Sequence, residues 1–310
     1  MLTNSQKKTA EAIVNIFETS EVLGDYGNVT LIAGDTGHLT YGRSQTTLGS
    51  GNLFKLMDRY CANPGARFGE RLQPYLARFQ ARDLSLDQDS KLHNVLRACA
   101  DDPVMRETQD SFFNEVYWQS AVRAANSAGI TSPLGVAVVY DSSVHGSWSM
   151  IRDQTTQQSG SLTAIGEQSW IKAYVKTRRN WLANHRRRDL RATVYRMDAF
   201  LRLIELGHWG LELPLVVRGK EISVATLQAT PPGCYDGPLP GSRTILVQSP
   251  LARGLDVRLL QLGLSDWGAD IKADGVFGQG SAKKIKEYQT AHGMPTTGIA
   301  DPALIGSLVG

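Results

Sequence analysis

Two carboxyl groups near the N-terminus sit in contrasting surroundings. Thr3 to Gln6 forms a capping box, and Ala10, Ile13, Val14 and Phe17 follow at helical spacing. That pattern predicts a helix with one apolar face. Glu18 lies one turn beyond Val14, at the edge of the face. A carboxyl group there would be partly desolvated, a setting that favours the protonated acid. Downstream, Val29-Thr-Leu-Ile-Ala33 is rich in β-formers, Gly34-Asp-Thr-Gly37 is a turn, and His38 to Tyr41 can return as a strand. Asp35 then projects from a tight, solvated turn, which favours the carboxylate. An acid and a carboxylate in opposite settings suit hydrolysis of a sugar bond: one protonates the leaving oxygen, the other activates water.

Spacing alone does not single out this pair. Glu11, Glu21 and Asp25 are nearby competitors. A Glu near a helix end is commonly a solvated surface residue, and an Asp in such a turn commonly bonds its own backbone.

The elements that must position these groups are mostly helices. Leu53 to Tyr60, Leu72 to Arg82, Gln88 to Ala100, Pro103 to about Ser127, Trp170 to His185 and Thr193 to Leu206 all show helical register or helix-start signals. Leu134-Gly-Val-Ala-Val-Val-Tyr140 is apolar throughout, and its periodicity fits a buried strand or a buried helix equally. Thr230-Pro-Pro-Gly, Asp236-Gly-Pro and Leu239-Pro-Gly241 read as a Pro/Gly-rich linker. Beyond it come a short amphipathic helix over 254–264, a turn at Asp274-Gly-Val-Phe-Gly278, a helix over 280–292 and a third from Pro302 to Leu308.

The 310 residues carry a formal net charge of +3 with 42% hydrophobic and 20% charged residues, an ordinary globular composition long enough for one sizeable domain and a small one. That charge is too mild to argue for nucleic acid, although it suits weak attraction to an anionic wall polymer. Cys61, Cys99 and Cys234 fit no metal spacing and no disulfide framework, so buried free thiols are expected. No metal or cofactor is implied. Met1 to Ile16 lacks a signal-peptide core and no apolar run is long enough to span a bilayer, so synthesis in the cytoplasm and no membrane partner are expected.

Phe17-Glu18 at a helix end, Gly34-Asp35-x-Gly-x-x-Thr40 and Ser50-Gly-Asn52 together resemble the glycoside hydrolase family 46 chitosanases. Tyr140-Asp141 followed by His145-Gly146 extends the likeness, which covers about residues 5 to 220. The resemblance implies a mainly α, lysozyme-like α+β fold with two helical lobes and a small β-hairpin. It makes the apolar stretch the central helix and Leu211 to Leu215 an extended closing tail. It implies Glu18 as general acid, Asp35 and Thr40 as managers of the attacking water, and inversion at the anomeric centre. It places Tyr41, Arg43, Asn52 and His145 as substrate contacts, with Asp141, Arg178 and Arg196 as a network behind the acid. An ordinary interior salt bridge remains open for those three. Counted from Asp35, Asn52 falls where the family has an Asp. It would suit a neutral N-acetyl group in place of that charge, or cap the helix from Leu53, and the two roles are compatible. The tail resembles a three-helix peptidoglycan-binding domain.

The expected organisation is therefore a hydrolase domain over 1–225, a linker over 226–249 and a wall-binding domain over 250–310. The expected function is a muramidase-type glycoside hydrolase on peptidoglycan. A chitosanase on glucosamine polymers is one alternative, a non-catalytic wall-binding protein another. A phage endolysin or a secreted antibacterial effector would fit, acting in the wall or periplasm as a monomer. The effector would face an immunity protein.

Overall fold

The computed structural model describes residues 2–32, 34–43 and 45–309. Helices dominate, joined by three small antiparallel sheets, in the mainly α architecture expected. The chain folds as two compact units, one of Met1–Gly24 with Phe113–Ala229, the other of Asp25–Phe112 with Thr230–Gly310.

In the first unit the opening helix is Asn4–Thr19. Its capping box is formed on both sides: Gln6 N–H donates to Thr3 Oγ1 at 3.2 Å, and Thr3 N–H to Gln6 Oε1 at 2.9 Å. Ala10, Ile13, Val14 and Phe17 are buried, as their spacing requires. The helix closes at Ser20, left-handed at φ 62°, whose N–H donates to the Ile16 carbonyl. It packs on the helix Pro133–Val144. That segment is helical, with Ser132 Oγ capping Gly135 N–H and Pro133 in the first turn. Leu134 to Ser142 are all buried. A helix covered on every side has no polar face, which is why its pattern could not separate helix from strand. Glu167–Ala183 packs on it and on Tyr195–Glu205. Between Pro103–Phe113 and Gln119–Ser127 runs a π-helical turn, Asn114–Trp118. Of the segment expected as an extended tail, Leu211 to Pro214 form no helix or strand, and Leu215 opens a hairpin, Leu215–Val217 paired with Lys220–Ile222. Arg218 and Gly219 turn it with φ of 50° and 78°. The Arg at the first turn position hid a signal that Asn or Asp would have shown.

The second unit holds a three-stranded sheet, where a two-stranded hairpin was expected. Val29–Thr30, Thr40–Tyr41 and Thr46–Thr47 pair antiparallel, with Thr40 opposite both Thr30 and Thr47. The first strand stops at Thr30, and Ala33, where it was expected to end, lies outside the described residues. The turn at Gly34 to Gly37 thus belongs to a loop that runs on to Leu39. The helix from Leu72 to Arg82 is broken into Gly69–Leu72, a 3-10 turn Gln73–Tyr75 and Leu76–Gln80.

The C-terminal helices, Leu255–Trp267, Gln279–Ala291 and Pro302–Val309, belong to this same unit. The first is not amphipathic in place. Every residue from Leu255 to Ser265 except Leu259 is buried. Its outer face lies on the helix Ser90–Cys99. Asn94 Nδ2 donates to Ser265 Oγ and the Ile271 carbonyl, and Asn94 Oδ1 accepts from Ala273 N–H. Leu262 joins the core of Leu92, Leu96 and Met57.

The Pro/Gly-rich stretch is likewise packed. Cys234 is buried beside Tyr26 and Ala100, Tyr235 N–H donates to Asp101, and Asp236 pairs with Arg106. All three cysteines are free, and burial pushes the Cys234 thiol up to about 12. Among the described residues no cluster of His, Cys, Asp or Glu is arranged to hold a metal ion, and no helix is long and apolar enough to cross a membrane.

Candidate active site

Glu18 occupies the last turn of the opening helix, and its partner comes from far along the chain. Arg196 Nη2 donates to Glu18 Oε1 at 2.6 Å, and Arg196 Nη1 to Asp141 Oδ1 at 2.8 Å. Asp141 Oδ2 in turn accepts from Arg178 Nη1 at 2.6 Å. Three helices supply this chain: Pro133–Val144 gives Asp141, Glu167–Ala183 gives Arg178, and Tyr195–Glu205 gives Arg196. Asp141 and Arg178 are fully buried and Arg196 is 3% exposed. Burial works against the charge on Arg196, but Asp141 and Glu18 outweigh it, so its pKa lies above the ordinary value. The expected network of Asp141, Arg178, Arg196 and Glu18 is therefore assembled in space.

Glu18 was expected at the edge of the apolar face as a partly desolvated group, and its side chain is 37% exposed. The reason is local: Phe17 turns inward beneath the Arg196 guanidinium, 5.6 Å from ring centroid to cation, and Glu18 falls on the open side.

His145 follows the central helix directly. Its Nδ1 lies 3.1 Å from Arg178 Nη2. A guanidinium has no acceptor, so Nδ1 must accept and the ring proton sits on Nε2. Burial lowers the His145 pKa, and Arg196 and Arg178 lower it further. A neutral ring with an Nε2–H donor results. Arg178 also donates to Ser142 Oγ and to the Gly146 carbonyl, so one buried cation ties down the whole Asp141 to Gly146 turn.

In the second unit, Asp35 is exposed on the loop over 34–39. Several bonds fix that loop. Asp35 N–H donates to the Ile32 carbonyl, Leu39 N–H to Asp87 Oδ1 at 2.9 Å, and His38 Nδ1 lies 2.9 Å from Asp87 Oδ2. The turn after the third strand approaches so closely that a Cβ on Gly49 would lie 2.3 Å from the Thr36 carbonyl. Asp35 Oδ2 lies over Gly37, 2.8 Å from where a side chain there would begin. Thr40 is 7% exposed and its hydroxyl donates to the His38 carbonyl at 2.9 Å, which leaves the oxygen as an acceptor.

The remaining residues named from sequence divide. Tyr41 is fully buried in the core with Leu39 and Leu53, and its hydroxyl has no partner among the described residues. It is a core side chain here and not a substrate contact: both residues of the strand Thr40–Tyr41 are buried, and Tyr41 lies in the core cluster. Arg43 is engaged by Asp110 and, at 3.2 Å, by Tyr26 Oη, with its side chain only 6% exposed. Asn52 is half-buried at the start of the helix Asn52–Cys61. The cap position belongs to Gly51, with φ of 77° and no side-chain cap, and Ser50 Oγ accepts the Asn52 N–H at 3.2 Å. The capping role considered for Asn52 is therefore not the one it plays.

Sequence reasoning missed Asp87 and Tyr195, whose hydroxyl donates to the Phe17 carbonyl at 2.7 Å. Neither carries a local signal. Each acts on a partner distant in the chain.

Comparison with known proteins gives the chain's family. Residues 12–215 match the glycosyl hydrolase family 46 model, and residues 253–308 match a putative peptidoglycan binding domain. A chitosanase of Bacillus subtilis (strain 168) is 27% identical over 239 residues, spanning 71% of this chain and 84% of the relative. Among solved structures, a native Bacillus subtilis chitosanase superposes with TM-score 0.58 at 24% identity, over 70% of this chain and 96% of that one. The family 46 chitosanase of Gynuella sunshinyii, solved with chitotetraose, gives 0.58 at 24% identity over 73% and 99%. At that identity the structural likeness is one of fold. With the family model spanning well over half its length, the chain belongs to glycosyl hydrolase family 46 and is a glycoside hydrolase of glycan polymers.

Proposed function

We propose that this enzyme cuts the glycan strand of bacterial peptidoglycan with inversion, using Glu18 and Asp35 as its two carboxyl groups. Glu18 protonates the leaving glycosidic oxygen. Asp35 takes a proton from the water that attacks the anomeric carbon from the opposite face. The Thr40 oxygen accepts that water's other hydrogen. Arg196, held by Asp141 and Arg178, orients the Glu18 carboxyl. The His145 Nε2–H and the Asn52 amide serve as neutral contacts to the sugar.

The observation that carries the substrate choice is the match of residues 253–308 to a peptidoglycan binding domain. The uncharged Asn52 supports it, since a neutral amide suits an N-acetylated sugar better than a cationic glucosamine. A second reading, hydrolysis of glucosamine polymers, is favoured by the chitosanase relative. On the peptidoglycan reading the enzyme acts in the wall or periplasm as a monomer. It arrives there as a phage endolysin or as a secreted effector, and the effector would require an immunity protein in the producing cell.

Release of reducing ends from purified peptidoglycan and from fully deacetylated chitosan separates these readings. Peptidoglycan cleavage with little chitosan cleavage is expected. The reverse establishes a chitosanase. Wall binding without cleavage of either substrate means a binding protein.

A further inference from the structure

The end of a helix leaves its last carbonyls without intrahelical partners. In the opening helix these belong to Ile16, Phe17, Glu18 and Thr19, the turn that carries the acid. Ser20 N–H satisfies Ile16. Phe17 is satisfied by a side chain 178 residues away: Tyr195 Oη donates to its carbonyl at 2.7 Å. The next residue, Arg196, holds the next acceptor, the Glu18 carboxyl, at 2.6 Å. Two consecutive residues at the start of Tyr195–Glu205 thus grip two consecutive residues of the opening helix, one by backbone and one by side chain.

The grip is braced on both sides. The Phe17 ring meets Tyr195 edge-on at 6.1 Å and Phe200 at 5.4 Å. Across the Tyr195 ring lies the Arg218 guanidinium, 3.8 Å from its centroid, close enough for cation–π attraction. Arg218 sits at the tip of the hairpin Leu215–Val217 and Lys220–Ile222, and Lys220 in the same hairpin reaches Glu21 at 3.4 Å. Everything the hairpin contributes here falls within a turn of Glu18.

We propose that Tyr195 is a positioning residue for the acid, and that Arg218 keeps its ring in place. Tyr195 fixes the peptide between Phe17 and Glu18. Arg196 fixes the far end of the same side chain. With both ends held, the carboxyl of an otherwise exposed residue has one preferred place from which to deliver a proton. Without the hydroxyl, the last turn is free to fray, and the proton donor is misplaced by a fraction of an ångström. Such misplacement costs rate and leaves binding little changed. The inference rests on Glu18 being the general acid.

Steady-state kinetics of Tyr195→Phe test this, on the polymeric substrate and on an aryl glycoside with a dinitrophenyl leaving group. The substitution keeps the ring, the Phe17 contact and the Arg218 contact, and removes one hydrogen bond. On the polymer, kcat should fall on the order of ten- to a hundredfold, with KM within about twofold of wild type. The dinitrophenolate leaves without a proton, so on the aryl glycoside the variant should stay within about threefold of wild type. Arg218→Ala, at an exposed hairpin tip, should move the same ratio in the same direction by less. An unchanged kcat on the polymer, or an equal loss on both substrates, overturns the proposal. Glu18→Gln is measured alongside. If it retains polymer activity, or loses equally on both substrates, the acid assignment falls and the Tyr195 role with it. If Glu18→Gln shows the leaving-group pattern and Tyr195→Phe does not, only the Tyr195 role falls.

Discussion

Arg258→Met should unfold the enzyme's second unit early, because the wall-binding helices are part of that unit's core. Arg258 lies on the helix Leu255–Trp267, is 3% exposed, and sits 3.0 Å from the fully buried Asp101. The pair meets out of hydrogen-bonding alignment, since neither Arg258 Nε nor Asp101 Oδ2 has a hydrogen-bond partner among the described residues. The attraction is therefore largely coulombic. Arg258 Nη1 donates to the carbonyls of Arg97 and Ala273, and Nη2 to that of Gly233, so one side chain joins three segments. Removing one partner of a buried pair costs about 3–5 kcal/mol, because the other charge is left unpaired. For a unit of about 170 residues, each kcal/mol shifts Tm by about 2–4 °C, so the expected drop is roughly 6–20 °C.

Proton uptake limits the loss and gives it a pH signature. Burial raises the Asp101 pKa to about 6, while Arg258 holds it down. A carboxyl raised in the folded state binds protons more tightly there than when unfolded. Its stabilising effect is therefore present below about pH 4 and lost as pH rises through 6. Without Arg258 the folded value rises further, and the gap between wild type and variant should widen from pH 5 to pH 8. Differential scanning calorimetry at the two pH values reads this. Asp101→Asn in the Arg258→Met background should recover the part of the loss due to the unpaired charge, since the amide keeps the Tyr235 bond, while the carbonyls of Arg97, Ala273 and Gly233 stay without their donor. A drop below about 2 °C at pH 8, well under the expected range, or no recovery in the double variant, refutes the reasoning.

Glu18→Gln should lose roughly a hundred- to ten-thousand-fold in kcat with unchanged circular dichroism; near-wild-type hydrolysis would remove Glu18 as the acid. NMR of the first-formed product should show the inverted anomer, and a retained one would mean a covalent intermediate. A chain ending at residue 249 should lose activity on short soluble fragments as well as on whole walls, because Leu262 and Arg258 leave the core with it; activity kept on fragments would mean a dispensable tether. Asn52→Asp should raise cleavage of deacetylated chitosan without improving peptidoglycan cleavage, measured as reducing ends, and a gain on peptidoglycan would exclude the neutral-contact role.

What was legible in the sequence was local. The Thr3 capping box, the buried face at Ala10, Ile13, Val14 and Phe17, and the helix starts at Pro103 and Pro302 each need only a few neighbouring residues. What was illegible depends on partners far off. Gly, Pro and Asp around residue 236 have the composition of a free linker, yet Asp101 and Arg106 hold them down. Leu255–Trp267 shows an apolar stripe that suits a small domain by itself, and nothing in it announces that Arg258 and Leu262 face a second layer. The cluster of Asp141, Arg178 and Arg196 came from family likeness, since its members stand 37 and 55 residues apart and no spacing rule reaches that far.

If Glu18 is the general acid, as proposed, the cluster's geometry accounts for its exposure. A general acid must reach the leaving oxygen, so it cannot be sealed in the core, and it ends the step as an anion. Arg196 already donates one nitrogen to Asp141 and aims the other at Glu18. On that assignment the carboxylate left by proton transfer would meet a cation that need not move, which is electrostatic preorganisation at the group that changes charge. Asp141 makes this possible. It accepts from both arginines, one on each oxygen, and so allows two buried guanidinium groups to sit together without repulsion dominating. Arg178 extends the same frame to His145, whose neutral ring adds a donor and no further positive charge. One buried carboxylate thus supports, through Arg196, a carboxyl that stays open to solvent.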